Sequence, residues 1–278
     1  MTDLRKLQII MLEILKEVDG ICRRHGIKYY LTAGTLLGAV RHGGFIPWDD
    51  DVDIGMSLND YKRFCKICEK ELDLSRFFLQ NADTDKHYRY IFAKIRLQNT
   101  LYVRKGQEHL KYHHGIPIDI WPAYPVPKNL ILYEAFKGMV TVCKRILWSP
   151  VGAKIENAPI KRLGYKIMSL VPAKAIHKII YKATSKASQK HLQDIGEPLF
   201  SKRKTTYKIR KKLQVRKVVE MEFEGYSFFV PANYRYILKQ FYGDYMKLPP
   251  KNERIGHHQA SVIDFGQYKE KFNESFDT

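Results

Sequence analysis

One stretch limits what this chain can become more than any other. It runs Gly34-Thr35-Leu36-Leu37-Gly38-Ala39-Val40-Arg41-His42-Gly43-Gly44-Phe45-Ile46-Pro47-Trp48-Asp49-Asp50-Asp51-Val52-Asp53-Ile54-Gly55-Met56. Lys28–Leu31 reads as a short strand, Gly34 to about Arg41 as the start of a helix, and His42-Gly43-Gly44 as a break. The first N–H groups of a helix are free and carry partial positive charge. A glycine beside them lets a phosphate come close to the backbone. Val52-Asp53-Ile54 reads as a strand, so Asp51 and Asp53 point to the same side. Two neighbouring carboxylates repel unless a cation lies between them, and hard oxygen ligands suit Mg²⁺ or Mn²⁺. Asp-rich runs often form exposed turns, and Gly-Thr pairs are common. Their combination about 16 residues apart, with acids set between apolar residues, points to a phosphate-and-metal site. Asp119 is the expected third acid, because it stands alone between Ile118 and Ile120 on a predicted strand, 116–121. A buried acid of that kind needs a partner.

Elsewhere, residues 4–24 carry apolar side chains at helical spacing, and Gly26 ends that helix. Leu58–Leu72 reads as a helix with Asn59 as its cap. Tyr90–Leu97 and Thr100–Arg104 read as strands joined at Gln98-Asn99. Residues 130–148 and 160–184 have helical periodicity, and Val218–Phe223 with Tyr226–Val230 forms a hairpin across Glu224-Gly225. Residues 232–243 read as a helix and the remaining tail as loop. Cys65 and Cys68 form a C-x-x-C within a helical stretch, with no second pair to complete a zinc site, so they are expected to share a helix face. No apolar block long enough for a transmembrane helix or a signal peptide is seen, so the expected location is the cytoplasm.

Charge is unevenly placed. Residues 1–129 carry a net +4 and residues 219–278 a net −2, whereas residues 130–218 hold 21 basic against 4 acidic side chains. That segment calls for a polyanionic neighbour. Its apolar stripe (Leu132, Phe136, Met139/Val140, Cys143, Ile146/Leu147), with lysines off the stripe, reads as a membrane-surface helix. A solvated basic face is the plain alternative. Nucleic acid is not expected as a partner, because no known nucleic-acid-binding module is recognisable.

The Gly34–Met56 run resembles the signature of the LicD family, to which bacterial phosphocholine transferases belong, and animal fukutin-type proteins carry a related motif. Gly115-Ile116-Pro117-Ile118-Asp119-Ile120-Trp121-Pro122 resembles the family's second block. Tyr242-Gly243-Asp244-Tyr245-Met246, with Leu248-Pro249-Pro250 and Arg254…His257-His258, resembles its C-terminal block. The resemblance implies an α/β (α+β) nucleotidyltransferase-like fold, a mixed sheet with flanking helices. It would be formed by residues 1–129 and 219–278 and interrupted by a basic helical lobe, 130–218. It also implies transfer of phosphocholine from CDP-choline to a sugar of a cell-surface glycan (teichoic acid or lipopolysaccharide) precursor, with release of CMP. Gly34 and Thr35 match the phosphate-binding positions, Asp51 and Asp53 the metal ligands and Asp119 the third acid, and Asp49 lies in the same aspartate run.

On this reading a sugar hydroxyl attacks the phosphorus that bears choline, and Asp119 holds a second metal or takes the hydroxyl proton. Arg41 stabilises charge in the transition state, and Arg254, His257 and His258 contact the nucleotide or the acceptor. A quaternary ammonium favours aromatic faces, and Trp48, Trp121 and Tyr124 are the expected cage. A polyprenyl-linked acceptor would hold the enzyme at the anionic inner leaflet. Two alternatives remain: a ribitol- or glycerol-phosphate donor on the same site, and a non-catalytic membrane- or nucleic-acid-binding protein.

Overall fold

The computed structural model describes residues 1–124, 129–188, 215, 217–256 and 259–272. Its centre is a mixed five-stranded sheet in the order β1-β2-β6-β4-β3, made of β1 (Tyr29–Leu31), β2 (Asp53–Ser57), β3 (Phe77–Gln80), β4 (Ala93–Leu97) and β6 (Pro117–Ala123). β2 and β6 run parallel, and every other pairing in the sheet is antiparallel. Ile54, Met56, Ala93, Ile95, Ile118 and Ile120 are fully or nearly fully buried in one core.

Helix α1 (Asp3–Arg24) presents Leu7, Ile10, Met11, Ile14, Leu15, Val18 and Ile21 to that core, the stripe its periodicity predicts. α2 (Ala33–His42) and α3 (Leu58–Glu71) flank β2. The cap of α3 differs from expectation: Ser57, not Asn59, accepts from the N–H of Asp60 at 3.1 Å. Ser57 is the last residue of β2, so strand and cap are continuous. Cys65 and Cys68 are free thiols on α3, burial pushing the Cys65 thiol up to about 12.

Two strands escape sequence reasoning. β3 has no alternation to reveal it, because Phe77, Leu79 and Gln80 are all buried. β9 (Ala260–Asp264) lies in the tail expected to be loop, and pairs with β5 (Leu101–Arg104). β7 (Val218–Phe223) and β8 (Tyr226–Pro231) form the expected hairpin. Its turn residues Glu224 and Gly225 both have positive φ, 54° and 77°. Glu224 tolerates this conformation while its carboxylate ties three segments together. It pairs with Arg5 at 2.6 Å and accepts from the N–H of Phe45 at 3.0 Å. α7 (Tyr234–Tyr242) follows the hairpin.

α4 (Leu130–Ile155), α5 (Pro159–Ser169) and α6 (Ala173–Ser188) build the described part of the basic segment. The 160–184 periodicity is thus two helices, divided near Leu170-Val171-Pro172. The stripe expected to face a membrane is instead packed inside: Tyr133, Phe136, Val140, Cys143, Leu147 and Val151 of α4 are buried, and of the expected residues Leu132 is exposed. This lobe has a core of its own, in which Cys143, Leu147, Ile176 and Ile180 meet Leu58, Ile91 and Tyr124. Pro150 cannot donate to the carbonyl of Ile146 four residues back. Ser149 Oγ at 2.6 Å and Arg89 Nη2 at 3.3 Å donate to it instead. Arg89 also reaches the carbonyls of Leu147 and Val171, which fastens the lobe to the sheet. No helix among the described residues is long and apolar enough to cross a membrane.

A Cβ added at Gly38 would lie 2.5 Å from the carbonyl oxygen of Gly44. That backbone leads straight into the aspartate run. Gly38→Ala is expected to lower unfolding free energy by about 1–3 kcal/mol, read from chemical denaturation with the denaturant slope unchanged.

Candidate active site

The site is built around the parallel pairing of β2 and β6, which sets Asp53 level with Asp119. The start of α2 grips Asp53 by its backbone. Thr35 Oγ1 accepts from the N–H of Asp53 at 2.9 Å, and the carbonyl of Asp53 accepts from the N–H of Thr32 at 3.0 Å. Thr35 is buried, so the threonine of the Gly-Thr pair locates an aspartate. Gly34 works similarly: a Cβ there would fall 2.6 Å from Asp49 Oδ2, so only glycine leaves that carboxylate its place. Ala33, just before it, has φ of +49°, a strained value for a residue with a side chain. The N–H of Asp119 donates to the carbonyl of Val52 at 2.8 Å. Buried Gln8 on α1 donates to the carbonyl of Asp49 at 3.0 Å.

The electrostatics are those of an overloaded acid cluster. Burial, then Asp51 and Asp50, push the Asp49 carboxyl up to about 8. Burial, then Asp51 and Asp119, raise Asp53 well above the carboxylate range, against a 2.7 Å hydrogen bond from Trp121 Nε1 to its Oδ1. Among the described residues, Lys94 and Arg104 answer this charge. Lys94, cross-strand from Asp119, forms a buried ion pair with Asp119 Oδ1. Burial pushes its ammonium down to about 7, against the pull of Asp119. Arg104 on β5 is half-buried. Burial lowers it, but Asp119 and Asp51 outweigh burial and its net shift is upward.

Sequence reasoning missed Lys94, Arg104 and Gln8. Lys94 and Arg96 alternate with apolar residues in Ala-Lys-Ile-Arg-Leu, which places both on one side of a strand. That was the available signal for Lys94.

The other expected site residues fall in three places. Trp121 lies beside Asp53 and stacks on Phe92 with centroids 3.9 Å apart, and Tyr90 leans on Phe92 at 5.6 Å. Trp48 carries the Arg254 guanidinium 5.5 Å from its ring centre. Arg41 Nη1 donates to the carbonyls of Tyr245 at 3.0 Å and Lys247 at 3.4 Å, tying the C-terminal block to α2. Gly256 packs against Asp50, with a Cβ position 2.9 Å from Asp50 Oδ2. Tyr124 is set apart. It is fully buried in the lobe's core and its hydroxyl donates to the carbonyl of Ile91, so its ring is packing and the expected three-ring cage is not assembled. His257 and His258 lie outside the described residues.

Among the described residues no three His, Cys, Asp or Glu side chains form a ready-made metal cage. The donor chemistry suits a different arrangement. Magnesium is commonly held by one or two carboxylates together with substrate phosphates, an arrangement that Asp51 and Asp53 could serve.

Comparison with known proteins decides the family. The LicD/FKTN/FKRP nucleotidyltransferase domain profile matches residues 26–144. The chain is 31% identical over 264 residues to the lipopolysaccharide cholinephosphotransferase LicD of Haemophilus influenzae, covering 92% of this chain and 96% of that protein. The chain belongs to the LicD family. It is also 32% identical over 117 residues to the human ribitol 5-phosphate transferase FKRP, spanning 41% of this chain and 20% of that protein. The mouse ribitol-5-phosphate transferase FKTN matches at 28% over 166 residues, 42% of this chain and 36% of that protein. The match to FKRP and FKTN is therefore partial on both sides, whereas that to LicD runs nearly end to end. The relatives named are transferases of phosphorylated groups, and the LicD-family sheet described above is the mixed, helix-flanked sheet expected from the motifs.

The raised acids have a consequence for stability. A carboxyl that holds its proton more tightly when folded stabilises fully below its unfolded value, and that contribution is lost as pH rises through the folded one. For Asp49 this window runs from 3.8 to about 8. In EDTA, the melting temperature of the wild type relative to Asp49→Asn is expected to fall between pH 5 and pH 9, by roughly 2–4 °C per kcal/mol. Excess Mg²⁺ should restore it. A pH-independent difference between the two proteins would contradict the charge assignment.

Proposed function

We propose that the protein transfers phosphocholine from CDP-choline to a sugar hydroxyl of a polyprenyl-linked cell-surface glycan precursor, a teichoic acid or lipopolysaccharide intermediate, and releases CMP. The observation that carries this reading is the acid centre at Asp53 and Asp119, with Asp49 and Asp51 beside it. It is supported by the near full-length likeness to a lipopolysaccharide cholinephosphotransferase. The enzyme acts at the inner face of the membrane, where a lipid-linked acceptor would be presented.

In the proposed step the acceptor oxygen forms a bond to the phosphorus bearing choline as the bond from that phosphorus to CMP breaks. Asp51 and Asp53 would hold Mg²⁺ or Mn²⁺, with Asp49 supporting them, and the cation supplies charge neutralisation for the diphosphate. Asp119, one oxygen held by Lys94, orients the acceptor hydroxyl and takes its proton on the other. Lys94 keeps Asp119 in place at the cluster. Arg104 and Arg254 pair with the diphosphate oxygens. The first N–H groups of α2, at Gly34 and Thr35, would add dipolar attraction for phosphate. Arg41 acts by holding the 245–254 segment over the site. The Phe92–Trp121 stack beside Asp53 offers the aromatic face that a quaternary ammonium prefers.

A second reading keeps the site and changes the donor to a polyol phosphate, ribitol or glycerol. The likeness to FKRP and FKTN favours it. A donor panel separates the two. CMP release from CDP-choline, CDP-ribitol and CDP-glycerol would be measured with Mg²⁺ or Mn²⁺ and a lipid-linked acceptor. Choline turnover is expected to dominate, to vanish with EDTA, and to fall by at least about 100-fold in Asp53→Asn. Turnover of a polyol donor alone would overturn the choline assignment. Undiminished activity in Asp53→Asn would overturn the metal site.

A further inference from the structure

Every side chain of α5 stays clear of the core. Ile160, Leu163, Ile167 and Leu170 are 87%, 59%, 61% and 80% exposed. At 3.6 residues per turn these four occupy roughly 80° of the helix circumference, a single apolar ridge. Exposed Arg162 and Lys166 line one edge of that ridge. The opposite side is anchored. Tyr165 packs edge-on against Trp148 at 5.5 Å and closes over Gly152 of α4, where no Cβ would fit. That contact turns the ridge outward.

We infer that α5 is a membrane-docking helix that seats the ridge among the acyl chains of an anionic bilayer, with Arg162 and Lys166 at its headgroups. Charge selects this occupant. Residues 130–188 carry 11 basic against 2 acidic side chains, a field complementary to anionic lipid. Exposed Lys174, Lys178 and Lys182 recur at four-residue spacing along α6 and extend that field. A second copy of the chain would set the same positive surfaces against one another. Burial of an apolar ridge beside basic residues at a headgroup boundary is the behaviour of an interfacial amphipathic helix. The surface deepens the proposed reading by naming what carries the enzyme to a lipid-linked acceptor, and it stands independently of which donor is used.

Full-length protein would be co-sedimented with phosphatidylcholine vesicles, with and without phosphatidylglycerol, in parallel with Leu163→Ser/Ile167→Ser and Arg162→Gln/Lys166→Gln. Both variants change exposed side chains only, so their melting temperatures should match the wild type. Partitioning onto anionic vesicles is expected to fall on the order of tenfold or more in each. CMP release with a soluble acceptor should be unchanged. Wild-type protein that ignores anionic vesicles, or variants that bind as the wild type does, would overturn the inference. So would a wild-type dimer that the serine variant converts to monomer without any vesicle binding. Vesicle binding lost in the variants, with no donor turned over by any form, would uphold the surface and overturn the transferase reading instead.

Discussion

Like charges crowded out of water are the constraint on which this molecule turns. Burial and the charge of Asp51 oppose ionisation of both Asp49 and Asp53, and Asp119 adds to the repulsion at Asp53. A chain would not keep them together without continuous restraint. The restraint comes from all around: Thr35 and Thr32 on the backbone of Asp53, Val52 on that of Asp119, Gln8 on that of Asp49, and the missing side chain of Gly34. Lys94 and Arg104 offset part of the charge. On the proposed reading, a cation and a diphosphate arriving together would answer the charge that remains.

The sheet exists in the form that makes this possible. Parallel strands need a crossover, and α3 with the β3–β4 hairpin supplies it between β2 and β6. The parallel register then brings an acid from residue 53 beside one from residue 119. The C-terminal block closes over the same end through Arg41, Trp48 and Arg254. The helical lobe, fastened at Arg89, stands on the sheet with its apolar ridge outward. The proposed chemistry and the proposed membrane seating thus fall to separate elements of one chain.

Much of this was legible in the residues. The helix 4–24, the hairpin about Glu224-Gly225 and the strand–helix–strand of 28–57 follow from periodicity and turn chemistry, and all are present. Asp53 and Asp119 could be paired as partners because each interrupts an apolar run. Other features depend on distant parts of the chain. β3 is buried on both faces and so lacks alternation. β9 becomes a strand only because β5 offers it an edge. Lys94 is recognisable as the partner of Asp119 only once β4 and β6 are in register. Tyr124 misled because closeness in sequence to Trp121 does not set direction. One ring lies beside Asp53, while the other is sealed beneath α4 and α6.

The central proposal is that Asp51 and Asp53, with their neighbours, hold a divalent cation shared with a nucleotide diphosphate. Binding of Mn²⁺, followed by its paramagnetic resonance signal with and without CDP, tests that claim without relying on turnover. Tight binding that needs CDP and is lost in Asp53→Asn is the predicted result. Equal Mn²⁺ binding by wild type and Asp53→Asn would contradict it.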